Sequence, residues 1–166
     1  MKKKICIIGH ARHGKDTVAE FMNKHFGYKS ESSSQAASRL FLYDALKDKY
    51  GYKTPEECFE DRVNHRAEWF DMICEYNQDY PGQLAKYIMD NNDIYTGMRS
   101  NRELEACTHD GIFDLVIGVF DPMKPLEPRE SFDVDIWSMS DIIIPNAGSL
   151  VELEYKVVLL KELLAH

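Results

Sequence analysis

The chain has 166 residues, with 28 Asp plus Glu against 20 Lys plus Arg, a formal charge of −8. A hydrophobic fraction of 44% and abundant aromatics (2 Trp, 9 Tyr, 8 Phe) supply a core and exclude intrinsic disorder, while no apolar run approaches the ~18 residues of a membrane span. The length fits one ordinary domain, and the acidic balance makes a nucleic-acid polymer a poor partner, because such binding rests on neutralising many phosphates.

From the N-terminus, Lys2, Lys3 and Lys4 precede the apolar run Ile5 to Ile8, which ends at Gly9 without a small-residue cleavage site, so no export signal is expected. The run predicts a short strand covered on both faces. A glycine-bounded loop follows, and from Lys15 the spacing of Val18, Phe21, Met22 and Phe26 predicts a helix stopped by Gly27. Tyr28 to Ser34 reads as a second strand and Gln35 to Tyr50 as a helix closed by Gly51. Thr54-Pro55-Glu56-Glu57 joins an N-cap, a first-turn proline and a capping-box glutamate, and predicts one long helix over 55–77.

A shorter helix is expected within Pro81 to Asn91, a strand over Asp93 to Gly97, a helix over Asn101 to Thr108 and a buried strand over Leu115 to Phe120. Pro122, Pro125 and Pro128 make 121–131 a loop by composition. Asp141 to Asn146 reads as a last strand, and the capping box Ser149-Leu-Val-Glu152 opens a helix striped by Leu150, Leu153, Val157, Leu160 and Leu164. Strands alternating with helices imply an α/β fold, three layers with a mainly parallel central sheet. Cys6, Cys58, Cys74 and Cys107 lack C-x-x-C spacing, which points to thiols in a reducing cytoplasm rather than to zinc or disulfides.

Gly9-His10-Ala11-Arg12-His13-Gly14-Lys15-Asp16-Thr17 satisfies the G-x-x-x-x-G-K core of a phosphate-binding loop, between a predicted strand and a predicted helix as the mechanism demands. Glycines let successive N–H groups point inward, the helix start adds positive potential, and Lys15 reaches the outer phosphates of a nucleotide. Gly9, His13, Gly14, Lys15, Asp16 and Thr17 are therefore the candidate nucleotide-binding residues. A Ser or Thr usually follows the lysine and holds magnesium; here Asp16 follows and Thr17 comes next, so either oxygen is a candidate metal ligand. The charge distribution agrees: residues 1–40 hold eight basic side chains and three acidic ones, +5, leaving −13 for the rest.

The segment G-x-x-R-x-G-K-D-T resembles the phosphate loop of phage deoxynucleoside monophosphate kinases, relatives of the adenylate-kinase-like group. Thr96-Gly-Met-Arg99-Ser-Asn-Arg-Glu103 is similar to that family's strand-end segment, where an arginine is followed four residues later by an acidic residue. Asp141-Ile-Ile-Ile-Pro-Asn146-Ala-Gly148-Ser resembles its last strand and Asn-x-Gly-Ser turn, and Ser34 to Leu46, with Arg39 and Asp44, takes the place of its acceptor-side helix. The resemblance implies an ATP- and Mg2+-dependent kinase acting on a small-molecule nucleotide, with acceptor helices over about 35–91, a short lid over about 121–138, a possible homodimer, no membrane partner, and residence in a host cytoplasm if of phage origin.

Phosphoryl transfer between two polyanions needs cations aimed at both. Arg12, in the loop, and Arg99, at a strand end, are the first candidates beside Lys15, followed by Arg66 on the long helix and Arg129 in the lid. Ser34, Arg39, Asp44, Arg66, Arg99 and Glu103 form the candidate acceptor site, Glu103 by orienting Arg99 or by capping its own helix, and Asn146 and Gly148 the candidate donor-base contact. His13 and His10 are weighed against pointing to solvent, and Tyr43, Trp69, Tyr76 and Tyr80 as stacking partners against plain core. Two other readings stay open: a kinase acting on a hydroxymethylated base in phage DNA, and an ATPase or switch in which Leu115 to Asp121 supplies a magnesium-binding aspartate.

Overall fold

The computed structural model describes all residues, 1–166. Its centre is a sheet of five parallel strands, β1 (Ile5–Ile8), β2 (Ser30–Ser32), β3 (Ile94–Thr96), β4 (Leu115–Phe120) and β5 (Ile142–Pro145), in the order β2-β3-β1-β4-β5. β1 lies between β3 and β4, so every residue of its apolar run is buried. Alternation splits that run between two cores: Ile5 and Ile7 face α1 (Lys15–Phe26) and α9 (Leu150–Val158), while Cys6 and Ile8 face the larger cluster on the opposite side.

Parallel strands need crossovers, and the helices supply them on both faces. The helix expected over Gln35 to Tyr50 begins two residues earlier, at Ser33, inside the expected second strand, and runs in three pieces: α2 (Ser33–Ala37), one π-helical turn (Ser38–Leu42) and α3 (Tyr43–Tyr50). Ser32 caps it with a reciprocal capping box to Gln35.

The single helix expected over 55–77 is broken. It consists of α4 (Pro55–Asp61), a 3-10 turn at Arg62–Asn64, and α5 (Arg66–Tyr76). Asp61 drives the break: its carboxylate accepts from Tyr52 Oη at 2.5 Å, Asn64 Nδ2 at 2.7 Å and His65 Nε2 at 3.0 Å, and His65 leaves helical geometry at φ −136°. Val63, which an unbroken helix would place on one stripe with Phe59 and Phe70, is 48% exposed.

The remaining helices are α6 (Gln83–Met89), α7 (Asn101–His109), the single-turn α8 (Ile136–Met139) and α10 (Lys161–Ala165). Ser149 caps α9 through the Glu152 N–H, and Leu153, Val157 and Leu160 are buried, whereas Leu150 is exposed. The proline-rich segment after β4 is irregular as expected, but beyond residue 130 it joins the core: Ser131, Phe132, Val134 and Ile136 are buried, and Asp133 N–H donates to the Arg99 carbonyl. No helix is long and apolar enough to cross a membrane.

Candidate active site

The loop from Gly9 to Gly14 leaves the C-terminal end of β1, where α/β sheets bind ligands. A Cβ on Gly9 would lie 2.7 Å from the Val119 carbonyl oxygen, so the loop departs hard against β4. Gly14 has φ 107°, and a Cβ there would meet Asn146 Nδ2. Arg12 is the one non-glycine residue with positive φ, 68°, a conformation that costs on the order of 1 kcal/mol or more and is kept where the surroundings impose it. The first α1 bond runs from Val18 N–H to the Gly14 carbonyl, leaving the amides of Lys15, Asp16 and Thr17 without intrahelical acceptors. Such a turn fits the phosphates of a nucleotide.

Two histidines fix the underside of this turn. His13 is fully buried; the Asp121 N–H donates to its Nδ1 at 3.0 Å, so Nε2 carries the proton and donates to the Pro125 carbonyl at 3.1 Å. Its imidazole thus faces neither phosphate nor solvent, correcting both sequence expectations, because the Asp121 N–H and the Pro125 carbonyl hold it inward. His10 is likewise an acceptor, taking the Glu127 N–H on Nδ1 at 3.0 Å while packing on Phe132. Burial, then His13, lowers the His10 pKa.

In front of the loop lies a cavity of about 430 Å³. Arg12, Lys15, Arg62, Arg66 and Arg99 line it, against the carboxylates of Asp16 and Glu20. The break after Asp61 serves this site: Phe59, Arg62, Val63 and Arg66 all line it from α4, the 3-10 turn and α5. Arg62 stacks on the Phe59 ring, 3.8 Å from its centroid. Burial lowers the pKa of Arg62, Arg66 and Lys15, and neighbouring arginines push in the same direction, Arg66 on Arg62 and Arg99 on Arg66 and Lys15. The cluster is thus electrostatically crowded and suited to a polyanion. The wall opposite the loop carries Ser30, Ser32, Ser34, Gln35 and Thr96, and a second hollow of about 670 Å³, sharing Ser30, Gln35 and Phe59, continues toward Arg39.

Several sequence candidates lie elsewhere. Asp44 is exposed and faces Lys47, pointing away from both hollows. Arg39 pairs with Glu31 at 2.7 Å and borders only the outer hollow. Arg129 is exposed and outside the cavity, with Asp135 as its charged neighbour. Glu103 is 4% exposed and does not orient Arg99: one carboxylate oxygen has no partner, Asn77 and Cys74 are its neighbours, and burial pushes its pKa up to about 7. Thr17 is half-buried beside the cavity, whereas Asp16 lines it. Asn146 donates from Nδ2 to the His13 carbonyl at 3.0 Å, so its side chain braces the loop, and a Cβ on Gly148 would strike the Glu152 carboxylate.

Tyr43, Tyr76 and Tyr80 are committed to Lys53, Phe41 and Asp110, and Trp69 is core; the cavity's aromatic is Phe59. The structure adds Arg62, Gln35, Phe59 and Glu127 to the candidates expected from the sequence.

Glu127 is the least expected member. Its carboxylate, 7% exposed, accepts from the Ala11 N–H at 3.0 Å and from Arg99 at 2.5 Å, with Arg66 at 3.6 Å. Burial would raise its pKa, but Arg99, the Ala11 N–H and Arg66 outweigh that and hold it below the usual carboxylate value.

No family model matches the chain and no curated protein does. Solved structures do match. The chain is similar to shikimate kinase from Aquifex aeolicus (16% identity, 96% of each chain covered, TM-score 0.52) and to shikimate kinase from Bacteroides thetaiotaomicron (10% identity, 100% of each chain, TM-score 0.55). It is also similar to a gluconokinase from Sinorhizobium meliloti (10% identity, 98% of this chain and 94% of that one, TM-score 0.54). The fold is therefore shared with these structures over nearly the full length of the chain.

Proposed function

We propose that the protein is a P-loop kinase that transfers the γ-phosphoryl group of ATP to a nucleoside 5′-monophosphate, with deoxynucleotides the first candidates. The observation that carries this reading is the convergence of Arg12, Arg62, Arg66 and Arg99 with Lys15 on one cavity, against two lining carboxylates. A lone triphosphate on a phosphate loop does not call for four arginines; a second dianion facing it does. The loop suits the phosphates of ATP, whose magnesium Asp16 or Thr17 would hold. ATP with magnesium supplies the transferable group and part of its charge neutralisation. Lys15 would hold the outer phosphate oxygens, and Arg66 and Arg99, lining the same cavity, would hold the acceptor phosphate. An acceptor phosphate needs no general base. The adjoining hollow, with Gln35, Phe59 and Arg39, is the place for the acceptor's sugar and base.

A second reading has a specific observation behind it. The matched enzymes are named for shikimate and gluconate, both hydroxy acids, and the seat of the Glu127 carboxylate on Arg99 shows that these arginines accept a carboxylate. The excess of cations favours the phosphate. In the pure ATPase reading Asp121 would bind magnesium; it takes the Met123 N–H on Oδ1 and is outside the cavity lining.

The test is ADP formation from Mg-ATP with each nucleoside and deoxynucleoside monophosphate, with shikimate and gluconate, and with hydroxymethylated duplex DNA. Turnover that depends on a nucleoside monophosphate supports the proposal. Turnover only with a hydroxy acid or with DNA, or hydrolysis that no acceptor accelerates, refutes it.

A further inference from the structure

Resting on the reading of the arginine cavity as an anion site, we propose that Glu127 is an internal competitor for the acceptor phosphate. Its carboxylate occupies the Arg66–Arg99 seat and the Ala11 amide until substrate displaces it.

The carboxylate is a planar anion bound as a ligand would be: by a main-chain N–H of the phosphate loop on Oε2 and by two guanidinium groups on Oε1. It is removed from water, at 7% exposure, on a segment otherwise largely exposed from Pro122 to Glu130. Its backbone is tied as well, since the Glu127 N–H donates to His10 Nδ1. Pro125 and Pro128 flank it, and the Pro128 carbonyl accepts from the Ser131 and Phe132 amides, so the chain carrying Glu127 is held at both ends. The alternative partners are absent: no other cation contacts this carboxylate.

The acceptor phosphate and this carboxylate cannot share the seat. Both are acceptor-only anions competing for the same donors, and like charges a few ångströms apart in a half-buried site repel strongly. Binding of the acceptor therefore exchanges one anion for the other and releases the Glu127 side chain from Ala11, while the backbone of this segment stays tied to His10 and His13. In the empty enzyme this carboxylate keeps Arg66 and Arg99 paired. The competition weakens every anion by one common factor, the fraction of molecules in which the seat is free.

That common factor distinguishes competition from a simple field effect. Methyl phosphate, a dianion, and dimethyl phosphate, a monoanion, are titrated against the wild type, Glu127→Gln and Glu127→Asp, following the Ala11 amide by NMR. Glu127→Gln should tighten both probes at least fivefold and by the same factor. Glu127→Asp keeps the charge but is one methylene too short to span Ala11 and Arg99, and should tighten both by a smaller common factor.

Tightening of the dianion alone, or none in Glu127→Asp, would mean that Glu127 acts only through its field. Unchanged or weaker binding in both variants would make it a strut that positions the arginines. If neither probe perturbs Ala11 in any of the three proteins, there is no anion seat at all, and the proposed function fails together with the competitor.

Discussion

Lys15 shows how one side chain is shaped by the site rather than by the fold. It is 9% exposed, and burial lowers its pKa, with Arg99 and Arg66 adding to the effect against Asp16 and Glu127. A cation with a lowered folded pKa is a liability below that value, relieved as pH rises toward its unfolded pKa. Lys15→Met should therefore abolish transfer, by about 10²–10³-fold or more in kcat, while leaving Tm unchanged or raised by ~2–4 °C. Near-normal turnover in that variant would remove Lys15 from the chemistry. Glu103 carries the opposite titration: with its folded pKa near 7 and an ordinary unfolded value, stability is lost as pH rises from about 4.5 through 7. Glu103→Gln should flatten that stretch of the stability profile and add up to about 3 kcal/mol above pH 7, read by urea denaturation at pH 5 and pH 8. Activity in Glu103→Gln should persist, because its carboxylate lies beside Cys74 and Asn77 rather than in the arginine cavity.

Among the elements, the interruption between α4 and α5 does the most for the site. An unbroken helix over 55–77 would have kept Val63 and Phe70 on one stripe; the turn built on Asp61 trades that stripe for a wall bearing Phe59, Arg62 and Arg66. Asp61→Ala removes the acceptor for Tyr52, Asn64 and His65 together. It should lower Tm and raise the KM for the acceptor several-fold, with little change in the KM for ATP. Equal effects on both substrates would show that the break has no special tie to acceptor binding. This element also marks how far the chain could be read without its fold. Caps at Thr54 and Ser149, the buried run of β1 and the loop from Gly9 to Thr17 are local signals, carried by residues close in sequence, and they appear where expected. The break at Asp61 depends on Tyr52, nine residues away, and Glu127 reaches Ala11 across 116 residues; no local pattern encodes either contact. Arg129 was chosen because lids carry cations, but the proline-bounded segment turns a carboxylate inward and leaves its arginine outside.

At the scale of the whole molecule, the alternation of strands and helices was legible, whereas the order β2-β3-β1-β4-β5 was not, since it is set by which crossovers pack on which face. That order puts β1 at the centre and brings the ends of β1, β2 and β3 to one edge, so residues as distant as Arg12, Ser34 and Arg99 share a cavity. The carboxylates of Asp16, Glu20 and Glu127 stand against the five cations of this cavity, so its formal charge is positive although the molecule is at −8. Raising the salt concentration from 0.05 to about 0.5 M should therefore weaken acceptor binding more than it perturbs Tm, since screening acts on the partly open cluster and not on the two cores. The most direct measurement of the central claim, two anion sites facing each other in one cavity, is the binding of two nucleosides joined by a five-phosphate chain, by calorimetry, to the wild type, Lys15→Met and Arg99→Ala. The linked ligand should bind the wild type at least tenfold more tightly than ATP and lose that advantage in both variants, whereas an affinity no better than that of ATP, or one indifferent to Arg99, would contradict the account.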